Sequence, residues 1–429
     1  MSIDNYREAS ECTLVGIIIK SGAREPSKKI ENNFLSVVPK GTGASLSMKQ
    51  RDQTYRYFPN LGIYYGYMDK EGVKSVQDIK EAEVHFPVDN RGCHWKITSQ
   101  EKPLLDASLI RPVATRSAVP FDVMTWGLQA LGVADLWKQA GKGKDVRVAH
   151  IDTGVNDKHI ALKGRVIDFI DTDADGEIIP EKNDKPYDDP VDNWHGTHTA
   201  GTICGGEVGG MAIGVAPECE LYSAKVIEGG DVNARIFTAI QWVIDKKQTD
   251  PRCRVLSMSL GEPINDPWWE SHVMAIVVQN GIVPCVAVGN EKANSIRTPG
   301  ASPSTFTVGA SDSEENVADF SSSITLGSRK KPDIVAPGVD VLSANGGTTD
   351  EVQSMDGTSM ATPHVAGAVA ILVSACPNAT VQQVVQALEK TCKQPDWPAN
   401  SGQKDHPERY GNGLIVPVKA YAELKKIGL

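Results

Sequence analysis

Apolar runs that end in a polar residue and a glycine are the feature that most constrains how this chain folds. One run, residues 145–152, is rich in Val and Ile and breaks at Gly154. Residues 255–261 and 283–290 follow the same plan. Strands that are buried on both faces of a parallel sheet have this composition. The sequence therefore predicts an α/β fold, in which functional sites lie at the carboxyl ends of the strands.

Three motifs supply an acid, a base and a nucleophile, in that order along the chain. Asp152 opens Asp-Thr-Gly, His195 opens His-Gly-Thr-His, and Ser359 is the serine of Gly-Thr-Ser-Met-Ala. A serine hydroxyl attacks a carbonyl at neutral pH only when an imidazole takes its proton, and a buried carboxylate keeps that imidazole in one tautomer. Residues 358–373 read as a buried helix whose first-turn N–H groups would point at the serine.

The order Asp, His, Ser and the residues around each member are similar to those of the subtilisin-like serine proteases, over residues 126–422. The resemblance implies a doubly wound, mostly parallel sheet with helices on both faces, and a catalytic domain at residues 119–429. It also implies an endopeptidase that hydrolyses peptide bonds through an acyl-enzyme on Ser359. Asn290 would donate to the oxyanion together with the backbone N–H of Ser359.

The same resemblance implies where a protein or peptide substrate binds. An extended peptide would add as a further strand to the Ser-Leu-Gly at residues 259–261. The opposite strand, residues 229–231, carries negative charge that would favour basic upstream substrate residues. Arg297 would lie near the base of the main pocket, beside a cis-proline turn at Thr298–Pro299. The predicted substrate-binding residues are Ser259, Leu260, Gly261, Gly229, Gly230, Asp231, Gly289 and Glu291.

Other functions use some of the same residues. Asp-Thr-Gly also marks aspartic proteases, but those need two such loops that share a proton, and this chain has one. His195 and His198 could form a metal pair, yet no cysteine or carboxylate stands nearby at zinc-ligand spacing; His198 and His364 are predicted to be structural. Acyl transfer to an amine would use the same catalytic groups as hydrolysis. A non-catalytic scaffold would not need the complete set of Asp152, His195, Asn290 and Ser359.

Residues 1–118 precede the resemblance and predict a smaller N-terminal α/β domain. Its predicted elements are strands at 13–19, 61–67 and 83–88 and a helix at 70–82. Zymogens of the family carry a prodomain of this character, which inhibits its own enzyme by laying its C-terminal tail through the cleft. Here residues 109–117 are the candidate tail, and Arg116-Ser117 is the candidate cleavage point. A permanently attached regulatory or recognition domain and unrelated packing are the alternatives.

No cofactor is expected for the chemistry, but calcium commonly stabilises members of the family. Asp171, Asp173 and Asp175 alternate as the first half of an oxygen-rich calcium loop does. The twelfth position is Lys182, where a bidentate glutamate is wanted. A solvated acidic loop is the alternative interpretation of this segment.

Composition excludes some partners and suggests a compartment. The chain has 429 residues and a formal net charge of −10, and no clustered Lys and Arg suggest nucleic acid as a partner. Neither a secretory signal nor an apolar run of about 18 residues is visible, so we expect no membrane association and a cytoplasmic location. Secretion of a processed form would leave the same pattern. The eight cysteines are scattered, which predicts free thiols.

Overall fold

The computed structural model describes residues 13–20, 26–35, 55–85, 96–97, 123–190, 193–227, 232–263, 269–394 and 407–429. Contacts divide the chain into two compact units. The smaller comprises Met1–His94, Thr172–Glu177 and Gly229–Gln241. The larger comprises Trp95–Asp171, Ile178–Glu228 and Trp242–Leu429. The predicted domain boundary after residue 118 stays a prediction.

Strands and helices follow one another along the described part of the chain. The strands are β1 Thr13–Ile19, β2 Tyr55–Phe58, β3 Ile63–Met68, β4 Ala82–His85, β5 Lys96–Ile97, β6 Arg147–Asp152, β7 Val166–Asp171, β8 Glu207–Val208, β9 Met211–Ala212, β10 Glu220–Lys225, β11 Cys253–Met258, β12 Leu260–Pro263, β13 Val283–Ala287, β14 Arg297–Thr298, β15 Phe306–Ser311, β16 Ile324–Leu326, β17 Arg329–Lys331, β18 Ile334–Pro337, β19 Val341–Ala344 and β20 Val352–Met355. The α-helices are α1 Lys28–Glu31, α2 Lys70–Gln77, α3 Trp126–Ala130, α4 Val133–Ala140, α5 His195–Cys204, α6 Val232–Thr249, α7 Glu270–Gln279, α8 Thr358–Ala375, α9 Val381–Thr391 and α10 Pro417–Lys426.

The larger unit is built on a seven-stranded sheet in the order β18-β15-β13-β11-β6-β10-β7. All neighbouring pairs in it are parallel, which confirms the predicted α/β architecture. From β6 the chain forms β7 and β10 on one side and then crosses to β11 on the other. The strand order therefore reverses beside β6, and in open α/β sheets ligands bind at the carboxyl end of such a reversal.

Helices α5 and α8 pack against each other beside this sheet. The predicted helix at the candidate serine is confirmed as α8, which is apolar and rich in small residues that allow close packing. Among the described helices, α8 alone is long and apolar enough to cross a membrane, and 89% of that window is buried inside the protein. It is accordingly the core helix of the larger unit.

The smaller unit contains an antiparallel sheet in the order β2-β3-β1-β4. The predicted strand at 13–19 is confirmed as β1, and the prediction at 61–67 corresponds to β3. The predicted helix 70–82 is shorter, because α2 ends at Gln77 and Ala82 already begins β4. Residues 86–88 of the predicted strand lie outside the described residues. Phe58 and Tyr65 pack edge-on against Phe237 of α6 within this unit.

Candidate active site

Asp152 is the last residue of β6 and is buried. Its Oδ1 accepts hydrogen bonds from the Thr153 N–H and from His195 Nδ1, both at 2.7 Å. Burial would raise the pKa of Asp152, but the charge and hydrogen bond of His195, with the Thr153 N–H, hold that pKa below its ordinary value. The residue is therefore a carboxylate that can stabilise an imidazolium.

His195 begins α5, and a close approach of two backbone segments sets its position. A Cβ on Gly196 would lie 2.1 Å from the carbonyl oxygen of Gly154. Only glycine lets the first turn of α5 come so near the loop after β6. While Nδ1 bonds Asp152, the buried Nε2 has no hydrogen-bond partner among the described residues. A neutral ring in this tautomer presents a lone pair that can take a proton from a hydroxyl.

A second buried carboxylate, Asp188, joins the loop after β6 to the start of α5. Its Oδ1 accepts from Thr153 Oγ1 at 2.6 Å, and its Oδ2 accepts from the N–H and hydroxyl of Thr197 at 2.7 and 2.6 Å. Burial raises the pKa of Asp188 despite these donors. Asp188 is not among the predicted site residues, because an acid seven positions before His195 is not a recognisable motif.

Ser359 lies in the first turn of α8 and is fully buried. Its hydroxyl donates to the carbonyl oxygen of Ser259 at 2.8 Å, and the Ser259 hydroxyl donates to the Ser359 carbonyl oxygen at 2.9 Å. This reciprocal pair joins the start of α8 to the loop that connects β11 to β12.

Asn290 follows β13 and is oriented by Thr358. Its Oδ1 accepts from the Thr358 N–H at 3.0 Å and from the Thr358 hydroxyl at 2.9 Å. The buried Nδ2 has no hydrogen-bond partner among the described residues. A buried amide donor without an acceptor is costly for folding, which makes Asn290 Nδ2 a candidate binding group.

The predicted substrate-binding strand is the central strand of a small sheet in the larger unit, and β5 covers one of its edges. Leu260 and Gly261 begin β12, which lies between β14 and β5. The pairing with β5 is antiparallel, with Leu260 opposite Ile97 and Gly261 opposite Lys96. Part of the N-terminal region therefore lies along this edge. The predicted residues Gly229, Gly230 and Asp231 and the candidate tail at 109–117 lie outside the described residues.

Glu291 and Arg297 form an ion pair next to the same strand. Arg297 is buried; its Nε donates to Glu291 Oε1 at 2.8 Å, and its Nη1 donates to the Gly261 carbonyl oxygen at 2.5 Å. Burial would raise the pKa of Glu291, but Arg297 holds it below its ordinary value. Gly289 donates its N–H to Thr358 Oγ1 at 3.3 Å. The Thr298–Pro299 bond is cis, as predicted.

The other predicted structural groups make ordinary interior contacts. His198 Nε2 donates to the Val341 carbonyl oxygen at 3.0 Å, and burial lowers its pKa to about 3. His364 Nδ1 donates to the Met360 carbonyl oxygen at 2.8 Å. The six cysteines in the described part of the chain are free thiols, as expected.

The candidate calcium ligands are engaged in other contacts. The Asp171 carboxylate accepts from Lys182 Nζ at 2.6 Å and from the Tyr187 hydroxyl. Asp173 Oδ1 accepts the backbone N–H of Asp175 at 2.9 Å. No group of three or more His, Cys, Asp or Glu in the described ranges is arranged to hold a metal. Calcium ligation stays a prediction, and a lysine-paired Asp171 fits it poorly because the ammonium already neutralises the carboxylate.

Comparisons with known proteins identify the family to which this fold belongs. The model of the Subtilase family matches residues 143–413. Subtilisin NAT of Bacillus subtilis subsp. natto is 35% identical over 296 residues, which are 68% of this chain and 69% of that protein. The intracellular serine protease of Paenibacillus polymyxa is 34% identical over 317 residues, which are 70% of this chain and 87% of that protein.

The major intracellular serine protease of Bacillus subtilis (strain 168) is 32% identical over 275 residues, 62% of this chain and 80% of that protein. The chain belongs to the subtilase family. It is a serine endopeptidase, and subtilases need no cofactor for the chemical step.

Proposed function

We propose that the protein cuts peptide bonds through an acyl-enzyme on Ser359, with His195 as general base and Asp152 as its orienting carboxylate. The observation that carries this proposal is the buried 2.7 Å bond from His195 Nδ1 to Asp152, which leaves Nε2 with a lone pair and no described partner. Ser359 Oγ bonds the substrate carbonyl carbon as its proton passes to Nε2, and the imidazolium then protonates the leaving amine. Water, deprotonated by the same ring, hydrolyses the ester.

Asn290 Nδ2 and the Ser359 N–H are the proposed donors to the oxyanion of each tetrahedral intermediate. The bonds from Thr358 to Asn290 Oδ1 support this role, since they turn the amide so that its N–H₂ is the group left open. Donors fixed in advance stabilise developing charge without reorganisation during the reaction.

Labelling with a serine-directed phosphonate tests the proposal. The intact protein should be labelled and should cleave peptides, and Ser359→Ala should abolish both. The loss expected in kcat is about a million-fold, the magnitude known for subtilisin, a member of the same family. Ser374→Ala, which removes an exposed serine bonded to Lys144, is the matched control and should retain both activities. Labelling that survives in Ser359→Ala would rule out this serine as the nucleophile.

The N-terminal region is the proposed regulator of this activity. Two observations support it: β5 lies along the edge of β12 that an extended substrate would need, and both His195 and Ser359 have no exposed surface. A peptide cannot reach a fully buried nucleophile unless a covering segment moves. Whether regulation also involves cleavage at Arg116-Ser117 is decided by electrophoresis of active protein, where a single full-length band would exclude obligatory removal.

Protein or peptide segments that bind in extended form are the proposed substrates. The edge of Leu260 and Gly261 offers main-chain hydrogen bonds, and the ion pair of Glu291 and Arg297 lies against Gly261. Gly289 and Ser259 connect this edge to α8. The two relatives whose names include "intracellular" support an intracellular location for this protein, which cell fractionation tests.

A further inference from the structure

A chain of buried polar side chains reaches the second oxygen of the Asp152 carboxylate. It begins at His150, which lies on the same strand two residues before Asp152 and is 1% exposed. His150 Nδ1 is 3.1 Å from Ser223 Oγ on β10, and its Nε2 is 2.9 Å from Thr199 Oγ1 on α5. Thr199 Oγ1 is in turn 3.1 Å from Asp152 Oδ2. A histidine within an apolar central strand requires such partners, because a buried polar group without them is destabilising.

The surroundings of His150 decide which ring nitrogen carries its proton. Burial lowers the pKa of His150, so the ring is neutral near pH 7 and has one N–H. Nε2 also lies 3.8 Å from Asp152 Oδ2. A proton on Nε2 is attracted by that carboxylate, whereas a lone pair there would be repelled. Nε2 therefore donates to Thr199, and Nδ1 accepts from Ser223.

The Thr199 hydroxyl has two acceptors in reach. Asp152 Oδ2 and the Gly196 carbonyl oxygen are both 3.1 Å from Thr199 Oγ1. A carboxylate is the stronger acceptor, and the hydrogen bond received from His150 polarises the hydroxyl further. Within the described part of the chain, Thr199 is the hydrogen-bond donor to Oδ2, whereas Thr153 and His195 both bond to Oδ1. His150, Thr199 and Asp152 Oδ2 thus form a hydrogen-bonded relay, and the position of the second carboxylate oxygen depends on it.

We propose that His150 is a positioning residue for proteolysis, which acts through Thr199 to fix Asp152 Oδ2 and to limit the charge that Asp152 directs at His195. The inference deepens the proposed function and depends on the roles assigned there to Asp152 and His195. His150 does not touch the substrate or the reacting atoms.

Loss of the relay should shift the pH dependence of kcat/KM in a predictable direction. Without the Thr199 hydrogen bond, more negative charge stays on Asp152, and Asp152 holds the imidazolium of His195 more strongly. The acid limb of the pH profile of kcat/KM then moves to higher pH, because more alkaline conditions are needed to free the base. The other titratable or charged groups around Asp152 and His195 are unchanged in the variants: Asp188 before α5, His198 on α5, Lys225 on β10 and His364 on α8.

The test uses the full-length chain and a peptide substrate, with kcat and KM measured from pH 5 to 9. His150→Leu should lower kcat about ten-fold with KM unchanged and move the acid limb up by about half a pH unit. His150→Gln, which can place an N–H near the position of Nε2, should restore most of both. An acid limb that stays in place in a folded His150→Leu protein overturns the proposal.

Thr199→Val separates the relay from a merely structural role. With His150 intact, this variant should reproduce the shift of the acid limb, and adding His150→Leu to it should shift the limb no further. No shift in Thr199→Val overturns the proposal even if His150→Leu fails to fold, a case that the midpoint of thermal unfolding identifies. Where His150→Leu folds, full additivity of the two shifts overturns it as well. Activity that survives in Ser359→Ala would instead defeat the proposed catalytic set itself.

Discussion

Around Asp152 both carboxylate oxygens accept hydrogen bonds, whereas the Asn290 amide next to the first turn of α8 keeps a buried donor without a described partner. Thr153, His195 and Thr199 donate to Asp152. On the other side of the site, Asn290 Nδ2 is buried without a described partner. We call Asp152 with its donors the bonded half of the site and Asn290 with its unpaired amide the open half. His195 Nδ1 belongs to the bonded half, and its Nε2 has no described partner.

The difference follows from when each charge exists. Asp152 is charged in the resting protein, and a permanent buried charge needs permanent donors. The oxyanion exists only during the reaction, so donors that serve it must be unsatisfied beforehand. An unpaired buried donor costs about 1 to 3 kcal/mol of folding stability. The open half of the site is therefore destabilising in the resting protein, and the bonded half holds its geometry.

Between the two halves, the larger loss of kcat is expected when the charge of Asp152 is removed from the bonded half. Asp152→Asn keeps the shape but presents an amide that favours the wrong tautomer of His195, so kcat should fall about 10,000-fold. The rate of peptide hydrolysis at saturating substrate measures this loss of kcat. The exposed Asp135→Asn is the control and should leave kcat unchanged. A loss below ten-fold would contradict the orienting role of Asp152.

A smaller loss of kcat is expected when the amide of Asn290 is removed from the open half. Asn290→Ala removes one oxyanion donor, and kcat should fall about 100- to 1,000-fold with little change in KM, the range known for subtilisin. Because the substitution also removes the acceptor of the Thr358 N–H and hydroxyl, the melting temperature should fall as well, but by an amount too small to explain the loss of kcat. Asn280→Ala, in which the lost amide bonds only the Ile276 carbonyl oxygen, is the matched control. An equal loss in both variants would speak against the oxyanion role.

Weakening the pairing of β5 with β12 should raise the rate of peptide cleavage by a modest factor. Alternate residues of an antiparallel pair exchange hydrogen bonds, so Lys96→Pro with Ile97→Pro removes at least one bond between β5 and β12. A bond of about 1 kcal/mol corresponds to a rise of about five-fold in the initial rate of peptide cleavage. If the rate of peptide cleavage is unchanged in a variant with normal thermal stability, β5 does not regulate the activity.

The smallest expected effect is on stability and concerns the Glu291–Arg297 pair. The folded protein holds the pKa of Glu291 below its ordinary value of 4.5. Its contribution to stability is therefore present above that value and is lost as pH falls through the lower, folded pKa. Glu291→Gln should reduce the change in melting temperature between pH 6 and pH 3, while the exposed Glu314→Gln should leave it as in the parent. Identical pH dependence in Glu291→Gln and the parent would exclude the pair as a source of acid sensitivity.

The fold and the residues at the strand ends could be predicted because their signals are local. Each buried strand is one apolar run, and Asp152 and Asn290 stand where such runs end. The partners of these residues could not be predicted. Asp188 and Thr358 bond groups 35 and 68 positions away, and no local pattern marks those pairings. His150 gave a weak signal, since it interrupts an apolar run, but its partners on β10 and α5 were not visible.

Two predictions from the N-terminal half also show that contacts between separate segments could not be predicted. The candidate tail at 109–117 lies outside the described residues, and the backbone of Lys96 and Ile97 is what pairs with Leu260 and Gly261. Lys182 was identified as the wrong residue for a calcium loop, and the structure gives it a role, because its ammonium pairs with Asp171. Both contacts join segments that the sequence separates.

By itself, the sequence determined the parallel sheet, the helix that carries Ser359 and the chemical types of the candidate catalytic groups, because periodicity and motif residues act over a few positions. Only the tertiary structure decided which hydroxyls hold Asp152, which donors stay open at Asn290 and which segment lies along β12. These depend on distances between strands and helices that are far apart along the chain, and such distances are set by packing of the whole core.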